Sequence, residues 1–149
     1  MKLEREYSID LPIDLVWDSI LNPDLLVEIL PGCKSLNSLS NNHYKAEIEI
    51  KVGPVKGAFA SELTISDIRP LAGYHFEVSG VGTKGHMSGN GDITLTEKDG
   101  LTVLSFSAEG NVGGILARVG QRLIEAAGKK LMDQGFANFQ EKMAEGAYA

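Results

Sequence analysis

The sequence predicts an α+β domain in which a curved antiparallel β-sheet grips one long C-terminal helix. Residues 115–143 contain no proline and repeat apolar residues at helical spacing. Residues 34–112 alternate instead between apolar and polar side chains, interrupted by turn residues. A sheet that is apolar on one face needs a cover, and the long helix is the only candidate for that cover.

The chain begins with a strand pattern, because residues 2–10 alternate between apolar and polar. Asp10 to Pro12 and then Asn22-Pro23 each place a proline after a helix-capping residue. Two short amphipathic helices are therefore expected, the second ending at Pro31-Gly32. About six strands in a meander follow, with a strong hairpin signal at Asp99-Gly100.

The C-terminal pattern predicts one continuous helix from Ile115 to Met143, roughly 45 Å long. Its apolar residues form two stripes about a third of a turn apart, so its two halves should pack against different surroundings. The first stripe contains Leu116, Val119, Leu123, Ile124, Ala127 and Leu131, and the second contains Met132, Phe136, Phe139 and Met143.

Glycine makes up 17 of 149 residues, above the usual share of roughly 7%. Several glycines fall at inward strand positions, and Gly120, Gly128 and Gly135 lie along one side of the long helix. Protein interiors pack densely, so the side-chain volume that is absent at these glycines must be filled by other atoms. Bends and close backbone contact would explain these glycines, and so would a cavity for a ligand; the sequence leaves both open.

Composition argues against several classes of function. The net charge of −6 and a pI near 5.0 argue against a nucleic-acid footprint and against a basic surface that seeks anionic membranes. Cys33 is the only cysteine, so a disulfide framework is excluded. We expect a cytoplasmic protein, since the N-terminus lacks the apolar segment of a signal peptide.

A search for catalytic motifs predicts neither a catalytic site nor a metal site, and no cofactor. Residues 80–85 match the letters of a dinucleotide-binding motif, but a strand follows them where that motif requires a helix. The three histidines lack the spacing of zinc ligands. Ser61 and Tyr44 are the only obvious polar residues assigned to the inner face of the sheet.

Several motifs in order resemble the carbon monoxide dehydrogenase CoxG family of the START-like (SRPBCC, Bet v 1-like) superfamily, whose fold is the helix-grip. They are residues 30–33 (LPGC), 52–59 (VGPVKGAF), the glycine series 80–91, and residues 110–120 (GNVGGILARVG). The resemblance covers nearly the full chain, and we expect a single helix-grip domain over residues 1–149. It implies an accessory protein of a molybdenum-containing dehydrogenase, linked to membrane attachment or to binding of a quinone or lipid.

The leading hypothesis is a non-catalytic binder of a hydrophobic small molecule, a quinone or lipid. Its expected partners are subunits of a carbon monoxide dehydrogenase-like molybdenum enzyme, with peripheral membrane contact possible at the inner face and no nucleic acid. The expected lining is Ser61, Leu63, Phe76, Val78, Met87 and Phe106 from the sheet, Leu116, Val119, Gly120 and Leu123 from the long helix, and Leu26, Ile29 and Leu30 as the lip.

Two other hypotheses belong to different classes. A docking or maturation factor for the dehydrogenase would need a binding surface outside the hollow and no empty volume inside it. An enzyme of the cyclase or hydratase type would need paired polar groups within the cavity. The inner-face prediction offers few such groups.

Overall fold

The computed structural model describes residues 1–146, and these form one seven-stranded antiparallel sheet covered by helices on one side. The strand order is β1-β7-β6-β5-β4-β3-β2, so six strands form a meander and the first strand pairs with the last. This confirms the predicted helix-grip fold. Residues 147–149 of the expected domain lie outside the described residues. The strands are β1 (Lys2–Ile9), β2 (Cys33–Ser40), β3 (His43–Val52), β4 (Val55–Arg69), β5 (Gly73–Gly82), β6 (Gly85–Lys98) and β7 (Leu101–Gly113).

Two short helices, α1 (Ile13–Ile20) and α2 (Pro23–Ile29), follow β1 as predicted. The Asn22 side chain accepts a hydrogen bond from the Asp24 backbone N–H at 3.0 Å, and Pro23 occupies the first helical position. Both features stabilise a helix start, because the first backbone N–H groups lack partners within the helix. The capping signal at Asn22 is therefore confirmed for α2, whereas α1 begins after Pro12 without a side-chain cap.

The hairpin predicted at Asp99-Gly100 is also confirmed, since it joins β6 to β7. Asp99 has φ of 53° and Gly100 has φ of 82°. Two successive residues with positive φ are typical of the tight turn whose twist matches that of paired strands. The long strands on either side of this turn, of 14 and 13 residues, run the length of the sheet.

The long helix begins later than predicted. Residues Gly114–Val119 form a short 3₁₀ segment, Gly120 breaks the chain direction, and α3 spans Gln121–Ala144. Gly120 has φ of 97° and ψ of 150°, a conformation that favours glycine. The Leu116 backbone N–H also donates to the Lys84 carbonyl oxygen at 2.8 Å, which holds the 3₁₀ segment against the β5–β6 turn.

At 24 residues, α3 is about 36 Å long, shorter than the predicted helix. No helix within residues 1–146 combines the length and apolar character needed to cross a membrane. The two halves of α3 meet different surroundings, as the two stripes predicted. Phe139 and Met143 belong to a large core with α1, α2 and the sheet, whereas Ile124 and Ala127 pack against a smaller cluster of Val52, Phe59 and Leu116.

Candidate functional site

A cavity of about 400 Å³ lies between the sheet and the C-terminal half of α3. Tyr74 and Phe76 of the larger cluster contribute to its wall, and so do Ile50 and Met87, which pack against the smaller cluster. The lining is almost entirely apolar and comes from the three α-helices and all seven strands.

Nine of the thirteen residues expected to line a hollow do line this cavity. Six come from the sheet and three from α2 and the residue that follows it. They are Ser61, Leu63, Phe76, Val78, Met87, Phe106, Leu26, Ile29 and Leu30.

The other four expected residues, Leu116, Val119, Gly120 and Leu123, lie outside the cavity lining. Leu116 is buried in the smaller core cluster, and Val119 packs against that cluster. Leu123 is 46% exposed, and a methyl group on Gly120 would meet open space. The physical reason is that α3 begins only after Gly120, so Leu116 and Val119 precede the helix and pack in the smaller core cluster. A side chain at position 120 therefore cannot fill the cavity.

Residues nearer the C-terminus supply the helical wall instead. They are Leu131, Met132, Gly135, Phe136 and Phe139. Met132, Phe136 and Phe139 belong to the second apolar stripe, so the sequence did contain the signal. What it lacked was the rotation of the helix relative to the sheet, which decides which stripe faces the cavity.

The inward glycines of the sheet do not create the cavity. A methyl group on Gly91 would meet the Ser107 carbonyl oxygen and lie 2.8 Å from Phe76 Cζ, and one on Gly80 would lie 2.9 Å from Ser61 Oγ. Neighbouring backbone and side-chain atoms therefore occupy the space that these glycines leave. Of the helix glycines, Gly135 lines the cavity, whereas a methyl group on Gly128 would press against Leu3 Cδ1 of β1 at 2.7 Å.

The buried polar side chains of the lining are satisfied within the protein. The Ser61 hydroxyl donates to the Phe59 carbonyl oxygen at 3.3 Å, and the Tyr74 hydroxyl donates to the Ile20 carbonyl oxygen at 3.0 Å. Burial raises the pKa of Tyr74, so this phenol remains protonated. Tyr44 is buried in the larger core cluster and does not line the cavity.

Tyr7 lines the cavity where β1 meets α3, a contact that sequence analysis missed. Its hydroxyl donates to Asp133 Oδ1 at 2.7 Å, and its ring stacks on Phe136 with centroids 4.1 Å apart. Arg5 Nε also lies 3.1 Å from Asp133 Oδ1. Burial and the hydrogen bond to Asp133 raise the pKa of Tyr7, and the same hydrogen bond, with Arg5, lowers the pKa of Asp133. These contacts join β1 to α3 beside the cavity.

The cavity has little charge. Within the described part of the chain, its lining includes no lysine, arginine or histidine, and Glu62 is its one carboxylate. Glu62 occupies an exposed position and lies 3.1 Å from His43 Nε2. No cluster of three or more His, Cys, Asp or Glu side chains in residues 1–146 could hold a metal ion. Hydrophobic contact is thus the main interaction that these walls can offer a guest.

Known structures share this architecture. A conserved protein from Geobacillus kaustophilus has 29% sequence identity and a TM-score of 0.92, covering 97% of this chain and 96% of that one. Ara h 8.0201 has 15% identity and a TM-score of 0.69, with 97% and 98% covered. The Zhui aromatase/cyclase from Streptomyces sp. R1128 has 14% identity and a TM-score of 0.63, with 93% and 90% covered. The last two show similarity of fold alone.

Among curated proteins, none matches the chain. A family model for CoxG, described as a subunit of carbon monoxide dehydrogenase, matches residues 6–144. This match runs from within β1 to the end of α3 and so includes the whole cavity lining. The chain therefore belongs to the carbon monoxide dehydrogenase CoxG family.

Proposed function

We propose that this protein is a non-catalytic accessory protein that binds a hydrophobic small molecule, a quinone or lipid, between the sheet and α3. The observation that carries the proposal is the apolar cavity of about 400 Å³. Ligand pockets in proteins are typically about 300–1,000 Å³, with mostly apolar walls and a few polar groups. Transfer of an apolar ligand from water into such walls is favourable by about 25 cal/mol per Å².

The charge of the lining favours an uncharged guest. Burial of an ionised carboxylate or phosphate without a partner is strongly unfavourable, and no basic side chain among the described residues lines this cavity. A quinone ring with part of a prenyl tail meets this requirement. A fatty acid meets it only if its carboxylate stays outside.

Family membership supports the accessory role, with a molybdenum-containing, carbon monoxide dehydrogenase-like enzyme as the proposed partner. We place the protein in the cytoplasm, where such a ligand would be exchanged between the inner face of the membrane and the partner. The cavity residues Leu26, Ile29 and Leu30, on α2 and directly after it, would act as the lip through which the ligand passes.

An enzymatic function of the cyclase type has less support. The fold is similar to that of an aromatase/cyclase, but catalysis of that kind requires polar groups free to exchange protons with a substrate. Here the hydroxyls of Ser61 and Tyr74 donate to backbone carbonyls, and that of Tyr7 donates to Asp133. These three hydroxyls therefore form hydrogen bonds within the fold and are not free to exchange protons with a substrate.

The first test is native mass spectrometry of the protein purified from its own host, followed by organic extraction of any bound molecule. A co-purifying quinone or lipid would support the proposal and identify the ligand. The second test compares a long-chain fatty alcohol with the fatty acid of the same length, and we expect the alcohol to bind more tightly at neutral pH. A protein that is empty and also takes up no added quinone or alcohol would contradict the proposal and favour a docking role.

A further inference from the structure

Ser61 lies on the sheet side of the cavity, between two small residues. Its neighbours across the strands are Ala46 of β3 and Gly80 of β5. A methyl group on Gly80 would lie 2.9 Å from Ser61 Oγ. The serine oxygen thus lies in the space that this glycine leaves, with no β-carbon beside it, in the wall of the cavity that Ser61 lines.

Five described residues of the cavity lining have polar side chains, and two of these side chains face away from the cavity. The five are Tyr7, Ser61, Glu62, Tyr74 and Ser79. Glu62 and Ser79 lie opposite each other on β4 and β5. Since side chains alternate along a strand and Ser61 points inward, those of Glu62 and Ser79 point to the outer face of the sheet. There they line a separate polar groove.

The two tyrosine hydroxyls are directed to the edges of the cavity. The Tyr74 hydroxyl donates to the carbonyl oxygen of Ile20, the last residue of α1. The Tyr7 hydroxyl donates to Asp133, whose side chain is 53% exposed, so water reaches this pair. Ser61 is only 6% exposed. Its hydroxyl is therefore the one that a bound guest meets away from water.

The Ser61 hydroxyl offers a guest a hydrogen-bond acceptor but no free donor. Its proton is donated to the Phe59 carbonyl oxygen at 3.3 Å, whereas its oxygen keeps lone pairs that can accept. A hydroxyl on the guest can donate to that oxygen. A carbonyl on the guest can only accept, so it would lose its hydrogen bonds to water without a replacement.

We propose that Ser61 makes the cavity selective for guests whose buried polar group is a hydroxyl over the same guests with a carbonyl. This inference rests on the proposed function and specifies the chemical class of its ligand. In a quinone couple the hydroxyls belong to the reduced hydroquinone, so the reduced form is the tighter guest. A protein with this preference takes up the product of a quinone-reducing reaction in preference to its substrate.

The test compares menthol with menthone, which share one carbon skeleton and differ in a hydroxyl or a carbonyl. Their roughly eleven non-hydrogen atoms need on the order of 330 Å³, at about 30 Å³ each, and the cavity has about 400 Å³. Isothermal titration calorimetry should show that menthol binds about tenfold more tightly. Decylubiquinol, kept reduced under argon, should likewise bind more tightly than decylubiquinone.

Two variants test the role of the serine oxygen. Ser61→Ala should weaken menthol binding by about tenfold and leave the Kd of menthone unchanged. A merely structural loss would instead weaken both ligands equally. Gly80→Ala keeps the serine but places a methyl group against Ser61 Oγ, so it should also reduce the preference. This variant should fold, because the close contact is with the end of a serine side chain, which can shift.

Matched controls come from two other hydroxyls. Ser88→Ala removes an exposed hydroxyl on β6, outside the cavity lining, and should leave both Kd values unchanged. Tyr7→Phe keeps the ring that stacks on Phe136, and the ratio of the two Kd values should stay as in the wild type. Loss of the preference in Tyr7→Phe but not in Ser61→Ala would overturn the assignment to Ser61. Circular dichroism spectra would verify that each variant is folded.

The remaining outcomes separate this inference from the proposed function. Equal affinity of the wild type for menthol and menthone would overturn the preference alone, because it would mean that Ser61 turns its proton from Phe59 to the guest carbonyl. Tighter binding of menthone would overturn it as well. A protein that binds neither of these compounds, nor either form of decylubiquinone, would contradict the proposed function and this inference with it.

Discussion

The variant Gly135→Leu should weaken binding of a hydrophobic ligand while leaving the fold intact. Gly135 lies within α3 and lines the cavity. A methyl group there would lie 3.5 Å from Pro31 Cδ and 3.7 Å from the Ile29 carbonyl oxygen, which are ordinary contact distances. Leucine is also a better helix former than glycine by about 0.8 kcal/mol. Thermal stability should therefore stay the same or rise.

The size of the effect follows from the volume of the cavity. A leucine side chain has four carbons, each taking roughly the 30 Å³ that one water molecule occupies. The substitution thus removes on the order of a quarter of the 400 Å³ available. A ligand that filled the cavity would lose contact worth about four methylene groups, at about 0.8 kcal/mol each. A loss of about 3 kcal/mol corresponds to roughly a hundredfold weaker binding.

Isothermal titration calorimetry with a short-chain quinone such as decylubiquinone would measure the change. The control is Ala137→Leu, which adds an apolar side chain to an exposed position of the same helix and should leave the Kd unchanged. An unaltered Kd in Gly135→Leu would refute the placement of the ligand in this cavity. An equal loss in both variants would mean that the effect is not specific to the cavity.

Two further predictions concern stability in urea. Gly120→Ala should lose about 1–3 kcal/mol, because φ is 97° at this position, whereas Gly135→Ala should gain up to about 1 kcal/mol; equal unfolding midpoints would contradict this account of the helix start. The pKa of Asp133 is lowered from 3.8 by Tyr7 and Arg5, so its contribution is present above that pH and is lost as the pH falls. Asp133→Asn should therefore flatten the acid limb of stability against pH, and parallel curves for the two proteins would rule out this contribution.

Features that depend on neighbouring residues could be predicted from the sequence. The cap at Asn22 and the hairpin at Asp99-Gly100 are fixed by local backbone chemistry, so short stretches of sequence predicted them correctly. The order of strands in the meander also followed, because short connections favour antiparallel neighbours. The alternation of apolar and polar residues in the strands, and the helical spacing in α2, also predicted the nine residues from these elements that line the cavity.

The start of α3 could not be predicted in this way. Residues 115–120 have a helical pattern, but they lie against the β5–β6 turn through the hydrogen bond from Leu116 to Lys84. That contact joins residues 32 positions apart in the chain. The path of the chain from the 3₁₀ segment into α3 requires a positive φ at Gly120, and glycine adopts that conformation without a steric penalty.

The sequence by itself determined the fold class, the order of the elements and the existence of two apolar stripes on the long helix, because periodicity and capping are local properties. Tertiary structure alone decided that most of the second stripe faces the cavity together with Leu131 of the first. It decided further that Ile124 and Ala127 of the first stripe pack against the smaller core cluster. It also decided that Tyr7 meets Asp133, 126 positions away. The physical reason is that helix rotation and long-range polar contacts depend on how all the elements pack together, and no single segment encodes that packing.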